Sequence, residues 1–122
     1  QVCPNLPQHV SDLLLPLRWT AILYGRVKAD LALTSGVHTG QDAVKAVMAG
    51  ASVTMLASEL IARGAGRVTE ILAEMNAWMQ EFEYISVTQM RGSMSQQSVA
   101  DPAAFERANY MKALTSFDNR LA

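Results

Sequence analysis

The residues of this chain best suited to chemistry are Ser35-Gly36-Val37, the Thr39 and Asp42 that follow, and Ser58 further on. The chemistry they offer is anion binding. Gly36 allows close approach of the backbone to a ligand. The N–H groups at the start of a following helix would point at the same place, with the positive end of the helix dipole behind them. Ser58 lies just past a second apolar run, and parallel strands end on the same side, so a phosphate lodged between the two loops is the expectation. Small-residue turns also serve geometry alone, so the spacing leaves both a ligand and a plain turn open. His38, the only titratable ring near the turn, reads either as a phosphate partner or as an exposed turn residue. Cys3 and His9 stand six apart with no further ligand types nearby, whereas zinc requires three or four, so they read as loop.

The elements that must position these groups follow from periodicity. Leu31 to Leu33 form a short apolar run ending at Thr34, Ser35 and Gly36. Thr39 and Asp42 have the spacing of a capping box, which predicts a helix from about Gly40. Ala43, Val44, Val47 and Met48 give it an apolar face, and Gly50 is placed to end it. Val53 to Leu56 make a second apolar run. Two short strands joined by one helix imply parallel pairing through a right-handed crossover. Upstream, Ser11 or Asp12 can cap a helix from Leu13 to Tyr24, with Trp19 in its packing face and Gly25 as its stop. Downstream, Glu59 to Arg63 gives a short helix, and Arg67 to Phe82 is the clearest helix of the chain. Val68, Ile71, Leu72, Met75, Met79 and Phe82 form its apolar stripe, with Glu70, Glu74, Gln80 and Glu81 as a solvated face. Ile85 to Arg91 reads as a short helix capped by Ser86. Asp101 and Pro102 open a last helix carrying Phe105, Ala108, Met111 and Leu114.

Ser35-Gly36-Val37, Thr39, Ala43 and Gly50-Ala51 are spaced like the C-terminal flavin-phosphate signature of dihydroorotate dehydrogenases. The flanks, residues 15–30, 92–97 and 101–111, resemble the bacterial dihydroorotate dehydrogenase-like branch, and the resemblance runs from about Pro4 to Phe117. It implies an α/β fold: a partial TIM barrel made of the last strands, with one clear parallel βαβ unit and additional C-terminal helices. Residues 1–85 would be the C-terminal part of the β/α barrel and residues 86–122 a helical extension. It also implies FMN as cofactor, its phosphate held by Ser35, Gly36, Val37, Ala57 and Ser58. The sequence departs from the family at Ser35, which replaces the first glycine of a pair, and at Leu33, where the family prefers a small residue. The family's proton-abstracting base, its flavin-side lysine and its substrate asparagines would all precede residue 1. The chain is therefore expected to be a flavin-phosphate-binding portion of an oxidoreductase, catalytically silent alone.

Composition sets the remaining bounds. At 122 residues the chain is too short for a barrel of about 250 residues. Half its residues are hydrophobic and 17% charged, so some of its surface should be covered by a partner or by missing barrel. Net charge is −1 with the signs interspersed, which gives no electrostatic case for nucleic acid or a membrane surface. No apolar run reaches about 18 residues, no leader is visible and Cys3 is the lone cysteine, so a soluble cytoplasmic protein is expected. A second class of function stands beside the first: an oligomeric interaction module, without flavin, that pairs its open strand edges with another copy. Sugar-phosphate or nucleotide binding at the same turn is a third.

Overall fold

A computed structural model describes residues 8–98, with side chains from residue 12 onward. The Cys3/His9 pair and the helix expected from Asp101 lie outside the described residues. Helix α1 (Gln8–Leu23) begins earlier than its expected caps and carries Pro16 inside it. Leu13, Leu17 and Ala21, four apart, turn one stripe of α1 inward: Leu13 and Ala21 are buried, and Leu17 packs on the core. Trp19 lies off that stripe and is 55% exposed, contrary to its expected place in the packing face.

Strand β1 (Ala32–Leu33) leads into helix α2 (Gly40–Ala49), and strand β2 (Val53–Thr54) follows. The pair is parallel, with Ala32 opposite Val53 and Leu33 opposite Thr54. The expected strand–helix–strand unit is therefore present, with shorter strands. Both halves of the capping box form at the start of α2: Thr39 Oγ1 accepts from Asp42 N–H, and the Asp42 carboxylate accepts from Thr39 N–H. Gly50 ends α2 at φ 127°, donating back to the Ala46 and Val47 carbonyls.

Helices α3 (Ser58–Arg63), α4 (Arg67–Glu81) and α5 (Val87–Met90) follow, with a 3₁₀ turn at Gln96–Ser98, and complete the regular structure of the described residues. Helix α2 is the centre of the molecule, with α1 and α4 both packed on it. Ala43 and Ala46 face a cluster containing Leu13, Leu33, Val37 and Ile71. Val44 and Val47 face a second cluster with Met79 and Met90, and Met75 of α4 touches both. Only part of the stripe expected on α4 is covered: Ile71 and Met79 are buried, whereas Leu72 and Phe82 stay more than half exposed.

This arrangement overturns the partial barrel. The described residues hold five α-helices and one open two-stranded sheet, so the fold is predominantly helical. In a barrel the helices pack outside a closed wall of eight strands. Here the apolar stripes of α1 and α4 find their cover on α2, helix on helix, and two short strands make no wall. No helix among the described residues is long and apolar enough to cross a membrane.

Candidate functional site

The parallel register brings the exits of β1 and β2 to one end of the sheet, where the predicted site residues gather. After Leu33 the chain turns through Ser35 at φ 80° and Gly36 at φ 77°. Positive φ is ordinary for Gly36 and uncommon for Ser35. Val37 then drives its side chain into the core, 1% exposed, and fixes the turn. On the other side, Ala57 precedes α3 without a side-chain cap, Ser58 is exposed, and Glu59 is buried.

The two exits are joined by a pair that spacing did not reveal. His38 Nδ1 lies 2.9 Å from Glu59 Oε2. The other carboxylate oxygen of Glu59 is 3.0 Å from Nε of both Arg63 and Arg67. Arg67 spreads its guanidinium over the whole site. Its Nη1 donates to Glu70 at 2.8 Å and to Glu74 at 3.1 Å, and its Nη2 donates to the His38 carbonyl at 3.2 Å. One planar fork thus ties α4, α3 and the β1–α2 turn together, a task suited to arginine. Glu59 and His38 stand 21 residues apart. The only route from sequence to their contact was the parallel pairing, which placed Ser58 beside the turn and Glu59 one residue beyond it.

The expected anion seat at the start of α2 is already filled by the chain itself. Asp42 Oδ2 accepts from His38 N–H at 3.1 Å and Thr39 N–H at 3.2 Å. Glu74 Oε2 accepts from Gly40 N–H at 2.6 Å, a charge-assisted bond across to α4. Glu74 is therefore not simply part of a solvated face: its carboxylate supplies the negative charge that a helix N-terminus favours.

The electrostatics suit a clamp. Arg63 and Arg67 are set among the carboxylates of Asp42, Glu59, Glu70 and Glu74, so the local balance is acidic. The hydrogen bond from His38 holds the Glu59 carboxyl below the ordinary carboxylate range; burial opposes this, and Arg67 and Arg63 add to it. An ionised Glu59 accepts hydrogen bonds and has no proton to give at neutral pH. Among the described residues no group of three or more His, Cys, Asp or Glu could hold a metal ion.

A pH dependence follows, with a definite sign. Because the folded carboxyl of Glu59 titrates below the unfolded value near 4.5, its contribution to stability is complete above pH 4.5 and is lost as pH falls through the folded value. The melting temperature of the wild type should exceed that of Glu59→Gln at pH 7, and the gap should close on acidification below pH 4.5. A gap that stays constant from pH 7 to pH 3 would contradict this role of the carboxylate.

No family model matches the chain, and no curated protein matches it. Fold and site together define a small helix-dominated domain with an open parallel strand pair. The resemblance to dihydroorotate dehydrogenases is not sustained, and the oxidoreductase and FMN assignments fall with it. The described residues form an open two-stranded sheet and no barrel mouth to receive a flavin.

Proposed function

We propose that this chain is an assembly module that pairs with a second copy of itself through the outer face and free edge of β2. The observation that carries this reading is a side of the parallel pair that no element among the described residues covers. Register and alternation put Ala32, Val53 and Met55 on one face. Val53 is 54% and Met55 52% exposed, while Leu33 on the opposite face is 2% exposed. Parallel pairs are normally covered on both faces, and two strands alone are marginal in water. Hydrogen bonds from Val53 and Met55 run to β1, so Thr54 turns its N–H and C=O to the outer edge. No charged residue occurs from Val53 to Ala57, so that edge lacks the usual guard against pairing. A two-fold axis can therefore set this surface against its own image without repulsion.

Met55→Lys tests the proposal. A charge in the patch should abolish the dimer in light scattering while leaving the stability of the monomer within roughly 0.5 kcal/mol, as for other exposed positions. A dimer that survives the substitution would sink the reading.

A second reading rests on a separate observation. Among the described residues the N–H groups of Gly36, Val37, Ala57 and Ser58 meet no acceptor, and they lie at the end of the sheet where ligands of open parallel sheets bind. With Ser35 they would take a phosphate-type anion, weakly, because of the carboxylates around them. Inorganic phosphate should shift these amide resonances by NMR, and unchanged resonances at millimolar phosphate would exclude it.

A further inference from the structure

A groove of about 290 Å³ runs between α1 and α2, away from the strand pair and its clamp. Its floor is Leu17, Ala21, Met48 and Ala49, with Met94 at one end. The walls differ in kind from the floor: α1 contributes Arg18 and α2 contributes Lys45. Among the described residues neither cation has an acidic partner, although the clamp holds carboxylates in excess. We infer that this groove seats an acidic amphipathic helix of a partner protein, its apolar stripe on the floor and a carboxylate on each flank facing Arg18 and Lys45.

Charge complementarity is added here to shape. Two packed helices leave a furrow into which a third helix can lay its ridge. The volume, at about 30 Å³ for each water-sized group, holds roughly ten such groups, the apolar ends of two or three side chains and not a whole ligand of drug size. Met48 and Met94 provide unbranched, polarisable contacts that adapt to different apolar partners. The cation on each wall favours acidic over basic flanks and fixes the register, as flanking charges do beside a coiled-coil seam. A second copy of this chain is a poorer occupant, since the cations of one copy would face those of the other.

The test uses a synthetic helix of about 15 residues with leucines at i, i+3 and i+7 and glutamates beside the stripe, and its twin with lysines in place of the glutamates. Titrated by fluorescence anisotropy against the full chain, the glutamate peptide should bind about tenfold more tightly than the lysine peptide. Arg18→Glu combined with Lys45→Glu, both on the surface of the fold, should reverse that order without changing the melting temperature. Equal affinity for the two peptides, absence of binding, or an order unchanged in the double variant would overturn the inference. So would a halved molar mass in the double variant, which would assign the groove to a second copy.

Discussion

Alanine at position 50 is expected to lower the melting temperature by roughly 10–20 °C, an unfolding penalty of about 3–5 kcal/mol. Two costs coincide there. The φ of 127° is a conformation that side-chain-bearing residues rarely adopt. A Cβ at Gly50 would also stand 2.5 Å from Cδ2 and 2.6 Å from Cβ of Tyr24. Tyr24 Cβ is fixed to the backbone just past α1 and cannot swing aside, so the end of α1 must move from the end of α2. Thermal unfolding followed by circular dichroism measures the loss. Gly64→Ala provides the contrast: at φ 85° and ψ 170° it meets nothing within 4 Å, so it carries a conformational cost alone, about 1–3 kcal/mol. A loss for Gly50→Ala smaller than that for Gly64→Ala would count against the Tyr24 contact.

Gly40→Ala should cost about 2–4 kcal/mol for a different reason. Its backbone is ordinary, but the missing side chain lets α4 approach. A Cβ there would lie 2.3 Å from Glu74 Cβ and 2.9 Å from the Ile71 carbonyl oxygen. Making room moves α4 outward, lengthens the 2.6 Å bond between Gly40 N–H and Glu74, and loosens the packing of buried Ile71. Glu74→Gln keeps the shape and a neutral acceptor, so it should lose less than Gly40→Ala. The reverse ranking would show that charge, not close approach, holds α4 in place.

The local half of this architecture is legible in the chain. Thr39, Asp42 and Gly50 act within a few residues of themselves, and they begin and end α2 as their types predict. The apolar runs around Leu33 and Val53, with one short helix between them, suffice to predict the parallel pair. What was not legible depends on contacts distant in sequence. Glu74 meets Gly40 across 34 residues and Glu59 meets His38 across 21, and no periodicity connects them. The barrel expectation failed for a related reason. The motif around Ser35, Gly36 and Gly50-Ala51 reports a tight turn, a close helix and a sharp stop, which any strand–helix–strand unit needs whatever completes it. Here α1 and α4 cover α2, and the strand pair remains open.

Molar mass in solution, measured by sedimentation equilibrium over a hundredfold range of concentration, tests the assembly reading most directly. A monomer–dimer equilibrium rising from 13.3 kDa toward twice that mass is expected, with the Thr54 amide gaining protection from hydrogen exchange as the dimer fills. A mass of 13.3 kDa at every concentration, with Thr54 exchanging freely throughout, would contradict it.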